Sequence, residues 1–116
     1  MHTSTVTQLA TLLKKKKISS VELTKIYLDR IKQYDPIINS YIITVEDNAL
    51  EAAKKIDDKR DKDPEATGFL AGVPIAHKDI FLTKDTVTSA ASAALKDFIA
   101  PYNATAVKNT NSAGMI

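Results

Sequence analysis

The chain has 116 residues, the size of one domain, and 44% of them are hydrophobic. That composition excludes an intrinsically disordered tail, which combines low hydrophobicity with high net charge. Sixteen basic and fourteen acidic side chains leave +2, which does not demand a nucleic-acid partner, and the absence of cysteine excludes disulfide scaffolds, zinc–cysteine sites and thiol nucleophiles. No apolar run approaches the ~18 residues of a membrane span. The opening Met1-His2-Thr3-Ser4-Thr5 lacks the pattern of a secretory signal. A reducing, cytoplasmic setting is therefore expected. Three glycines stand far apart, at 68, 72 and 114, so neither glycine-rich phosphate loop is present.

Val6, Leu9, Ala10, Leu12 and Leu13 recur at helical spacing. Lys14-Lys15-Lys16-Lys17 follows, as a basic helix end or as a small RNA contact. No aromatic residue is interleaved there to stack on a base. Ser19-Ser20-Val21-Glu22 has the capping-box pattern and opens a helix with Leu23, Ile26, Tyr27 and Ile31 inward. Asp35-Pro36 is expected to stop it. Residues 41–45, Tyr-Ile-Ile-Thr-Val, read as a strand buried on both faces.

A third helix is expected over about residues 46–60, lined inside by Ala49, Leu50, Ala53 and Ile56. Charged residues 57–63 and Pro64 read as its solvated end. Residues 69–82 form an apolar, strand-like run interrupted by Pro74 and by His77-Lys78-Asp79. A short helix over about residues 90–98 and a last one from Asn103 or Ala104 are expected. Gly114 would cap the latter, and Met115-Ile116 reads as the first step of another strand.

Lys78 is the first candidate for chemistry. A lysine among apolar neighbours snorkels, pairs with an acid, or is held partly desolvated, and only the last favours a neutral amine able to act as a general base. Asp79 is adjacent, but strand alternation would point it to the opposite face. The same alternation turns His77 away from Lys78, so His77 reads as structural. Ser89, Ser92 and Ser112 sit in no nucleophile elbow and read as capping residues.

Leu70-Ala71-Gly72-Val73-Pro74-Ile75-Ala76-His77-Lys78-Asp79 resembles the G-V-P-hydrophobic-x-x-K-D motif of the amidase signature family. The stretches Ser19-Ser20-Val21-Glu22-Leu23-Thr24, Tyr27-Leu28-Asp29-Arg30-Ile31 and Ala100-Pro101-Tyr102-Asn103-Ala104-Thr105-Ala106-Val107 continue the likeness in order. Within the family they resemble the opening of the amidase subunits of glutamyl-tRNA(Gln)/aspartyl-tRNA(Asn) amidotransferases.

The resemblance implies an α/β fold, the N-terminal portion of a mixed sheet flanked by helices. Residues 1–60 would be a mainly helical part with one strand, and residues 68–116 the start of the catalytic core. It also implies a Ser–cis-Ser–Lys triad in which Lys78 is the general base, with no cofactor in this chain. Glutamine or asparagine would be the amide donor. Subunits B and C would be the partners, a misacylated tRNA would be met through the complex, and ATP and magnesium would belong to the partner subunit.

Both triad serines of the family lie in a later glycine- and serine-rich segment. The 116 residues alone are therefore expected to be inactive, and an unfinished sheet is expected to leave them marginally folded or self-associating. Asp85 stands where the family often has glycine, and Asn109-Thr110-Asn111-Ser112 is unusually polar for a helix end. The alternatives are a stand-alone amidase-family hydrolase, a non-catalytic helical module docking a partner through its apolar stripes, and a small RNA-binding domain at residues 14–17.

Overall fold

A computed structural model describes all of residues 1–116. Four helices carry the fold: α1 (Val6–Lys14), α2 (Ser20–Ile38), α3 (Glu46–Lys62) and α4 (Thr105–Ser112). Short 3-10 turns occur at Pro64–Ala66 and Ala93–Leu95. Everything else is turn or irregular chain, apart from one isolated antiparallel bridge between Val87 and Ile99.

Local chemistry places the helix starts. The Thr5 side chain accepts from the Gln8 backbone at 3.2 Å, and the Gln8 side chain accepts from Thr5 N–H at 2.8 Å. Ser19 and Glu22 repeat the reciprocal arrangement at α2, as expected. Leu9, Ala10 and Leu13 of α1 then meet Ile18, Leu23 and Val73 in the core, with Ile26, Tyr27 and Met115 against its edge.

Helix α2 does not stop before Pro36. It continues to Ile38 and ends on Asn39, whose φ of 55° is left-handed, while Asn39 N–H donates to the Asp35 carbonyl at 2.7 Å. The Asp35 carboxylate then accepts from Ser40 N–H at 2.6 Å and Tyr41 N–H at 3.2 Å. A side chain thus supplies the stop that proline was expected to supply.

The mixed sheet is not borne out. Residues 41–45 form no strand, and Ile42 is 54% exposed rather than buried on both faces. No neighbouring strand is available to take up their backbone groups. Residues 69–82 are turns and irregular chain, because consecutive tight turns replace a ladder: Ala71 N–H donates to Gly68 O, Val73 N–H to Leu70 O and Phe81 N–H to Lys78 O, each at 3.0 to 3.1 Å. The helix expected over 90–98 shrinks to the Ala93–Leu95 turn, since the left-handed Ala90 and Ala91 (φ 50° and 55°) cannot open a helix.

The last helix starts at Thr105, and Gly114 (φ 77°) ends it. Met115 N–H donates to Thr110 O at 3.1 Å and Gly114 N–H to Asn111 O at 2.9 Å, the paired bonds of a Schellman motif. Ile116 N–H donates to Val73 O at 3.0 Å, and Ile75 N–H donates to Ile116 O at 2.7 Å. That single residue pairs in the slanted parallel manner, which is as far as the expected strand goes.

Candidate active site

The segment carrying Lys78 is anchored at two places. The first anchor is buried. Arg60 of α3, 5% exposed, donates from Nη1 to Asp57 Oδ1 at 3.0 Å and to Ser20 Oγ at 3.1 Å, and from Nη2 to the Ala71 carbonyl at 2.6 Å. Asp57 in turn accepts the free N–H groups of Ser20 and Val21 at the start of α2, at 2.8 and 3.0 Å. One ion pair therefore satisfies a helix N-terminus, a hydroxyl and a loop carbonyl together.

Gly72 follows at once, with φ of +85°. A Cβ built there would lie 2.0 Å from Ser20 Oγ and 3.1 Å from Arg60 Nη2, so only glycine fits between the two helices. Its N–H donates to the Gly114 carbonyl at 2.8 Å. The G-V-P turn is thereby held by α2, α3 and the end of α4.

The second anchor is at Asp79. Its carboxylate accepts Ser89 N–H at 3.1 Å, Ser89 O–H at 2.5 Å and Ala91 N–H at 3.4 Å. Its carbonyl accepts Ala90 N–H at 2.9 Å. The Ser89 hydroxyl, more than the surrounding backbone donors, holds the Asp79 carboxyl below the usual carboxylate range.

Lys78 lies between these anchors and is exposed, as are Ile75, Ile80 and Phe81. The apolar run does not enclose the amine within these residues, because the turns at 68–73 and 78–81 direct those side chains outward. Neither Lys78 nor Asp79 sits on a strand, so alternation does not assign their faces. His77 is half-buried, with Nε2 3.4 Å from Thr110 Oγ1, a hydroxyl that already donates to Val107 O at 3.0 Å. Ser89 is committed to Asp79, while Ser92 and Ser112 are exposed. No group of three or more His, Cys, Asp or Glu is placed to hold a metal. Sequence reading missed the roles of Arg60, Asp57, Ser20 and Ser89. The glycine of Gly72-Val73-Pro74 marks a special backbone position but names none of these partners, and nothing pointed to Ser89.

The family model described as Amidase matches residues 22–116. The chain belongs to the amidase family. The likeness is closer to some members than that model alone conveys. It is 52% identical over all 116 residues to the A subunit of the glutamyl-tRNA(Gln) amidotransferase of Coxiella burnetii (strain Dugway 5J108-111), and 47% identical to its namesake from Azotobacter vinelandii (strain DJ / ATCC BAA-1303). The chain spans 24% of the length of each.

Among solved structures, a bacterial aryl acylamidase of the amidase signature family aligns with a TM-score of 0.87 at 27% identity, over 97% of this chain and 24% of that one. A protein complex tied to the origins of an s-triazine catabolic enzyme aligns at 0.90 and 24% identity, over 97% of this chain and 25% of that one, a likeness of fold. The resemblance read on the Gly72 to Asp79 motif and its flanks thus holds at the level of the family.

Separately, the basic run is partly neutralised. Lys14 faces Glu65 at 3.7 Å and Lys16 faces Asp61 at 2.7 Å, which draws two of the four cations toward α3 and the turn after it. No helix is long and apolar enough to cross a membrane.

Proposed function

We propose that these residues form the amino-terminal part of the amidase subunit of a tRNA-dependent amidotransferase, with Lys78 as the general base of a Ser–cis-Ser–Lys triad. One observation carries the reading: the 52% identity is spread over an alignment that runs the whole length of the chain, the lysine segment within it. In this reading, the Lys78 amine takes a proton relayed through a bridging serine. The nucleophilic serine attacks the carboxamide carbon of glutamine or asparagine, the C–N bond breaks, and the departing nitrogen takes up the proton and leaves as ammonia. Backbone N–H donors stabilise the tetrahedral oxyanion, and water hydrolyses the acyl-enzyme.

The family's two serines belong to a later segment, outside residues 1–116; Ser89 is bound to Asp79, and Ser92 and Ser112 are exposed. The 116 residues are catalytically incomplete by themselves. Subunits B and C are the partners and receive the ammonia, which amidates misacylated tRNA in the cytoplasm. In this reading ATP and magnesium are used by the partner subunit.

A chimera tests this. Residues 1–116 replace the matching residues of the Coxiella burnetii amidase subunit, which is assembled with its B and C subunits and assayed for glutamine-dependent ammonia release. Activity within about ten-fold of the unmodified complex is expected, with none from the 116 residues alone. A folded, assembled but inactive chimera contradicts the proposal.

A further inference from the structure

The loop opposite Lys78 is strained. Ala90 and Ala91 stand at φ 50° and 55°, in the left-handed region that residues with a Cβ avoid. Such a conformation persists only where its surroundings over-determine it. Three successive N–H groups, those of residues 89, 90 and 91, converge on one residue, Asp79. Those of Ser89 and Ala91 donate to the Asp79 carboxylate, and that of Ala90 to the Asp79 carbonyl, so the successive amides grip the side chain and the backbone of one residue. The Ser89 O–H bond, at 2.5 Å, has the short length of a charge-assisted bond. The hydrogen bonds to the Asp79 carboxylate all come from residues 89 and 91.

The chemistry of the donors explains why an acid stands here. Every group facing the carboxylate is a donor, so an asparagine would turn its own NH2 toward an N–H. The tie also acts on the lysine. The Lys78 carbonyl accepts from Phe81 N–H at 3.0 Å, and the next residue is gripped through both its side chain and its carbonyl. A lysine reaches its target through a long flexible stem, so its backbone origin must be fixed by something else. A displacement of about 1 Å is enough to cost on the order of a hundred-fold in rate.

We propose that Asp79 is a positioning residue: its carboxylate holds the strained loop at 89–91 and thereby fixes the backbone from which Lys78 projects. This rests on Lys78 being the base. The experiment uses the chimeric complex with glutamine as substrate, measuring kcat, KM, melting temperature and subunit assembly for four variants. Asp79→Asn is expected to lower kcat at least ten-fold while KM stays within two-fold. Ser89→Ala, which removes only the O–H donor, is expected to lower kcat two- to five-fold, and Ser89→Thr, which keeps it, to restore most of that loss. Lys78→Ala is the reference.

If Lys78→Ala is inactive while Asp79→Asn and Ser89→Ala both keep the parental kcat, the positioning role is overturned and the base survives. If kcat falls only in proportion to folded, assembled protein, or KM rises with it, Asp79 is merely structural and the inference is again overturned. If Asp79→Asn does not assemble, the Ser89 pair decides. If Lys78→Ala stays active, or the parental chimera is itself inactive, the base reading and this inference fall together.

Discussion

Arg60 Nη2 donates to the carbonyl of Ala71 at 2.6 Å, which binds helix α3 to the turn that leads into the lysine loop. The same guanidinium contacts Asp57 and Ser20, so removing it leaves the partly buried Asp57 carboxylate without its cation, holding only the Ser20 and Val21 N–H groups, and the Ala71 carbonyl without this donor. Breaking such a pair typically costs about 3–5 kcal/mol. Arg60→Ala is expected to fall in that range. Gly72→Ala should cost a comparable ~3 kcal/mol, through both the 2.0 Å clash with Ser20 Oγ and the positive φ. Urea unfolding of the two variants checks this; a loss below ~1 kcal/mol in both would show that the anchor contributes little.

Acid should loosen the second anchor. The Asp79 carboxyl is held low by Ser89, and that of Glu22 by its capping bonds to Ser19. A carboxyl whose folded pKa is depressed binds fewer protons folded than unfolded, so its contribution is complete above its ordinary value and disappears as pH falls through the folded one. Stability should therefore decline as pH drops below about 4. Asp79→Asn should flatten part of that decline. A pH series of melting temperatures checks it, and an unchanged slope would contradict the assignment.

Asp85 adopts φ 60°. Aspartate tolerates the left-handed region better than most residues, yet glycine enters it without steric cost. Asp85→Gly is expected to stabilise the chain by roughly 0.5–1 kcal/mol, visible as a higher urea midpoint.

His77 touches Thr110 only at 3.4 Å, and its neighbour's hydroxyl is already engaged. His77→Leu should cost less than about 1 kcal/mol and leave glutamine hydrolysis in the chimera within about three-fold. A loss of a hundred-fold would give His77 a role in the chemistry.

The helices were legible in the sequence because their signals are local. Ser19 and Glu22 announce the start of α2, apolar spacing marks α1, and Gly114 ends α4. The sheet was misread because a run such as residues 41–45 becomes a strand only when another segment pairs with it, and a single sequence carries no information about that neighbour. The lysine was found by resemblance to a motif, not by periodicity. Its two anchors were invisible because Arg60 lies 11 residues from Ala71 and Ser89 lies 10 from Asp79, so neither contact leaves a short-range pattern.

The central claim is that the Lys78 amine moves the proton. Lys78→Ala in the chimeric complex tests it most directly, by ammonia release from glutamine at saturating substrate. Folding and assembly should be unaffected, since the side chain is exposed, while kcat should fall by at least about a thousand-fold, as for loss of other triad members. Hydrolysis at the parental rate would contradict the account.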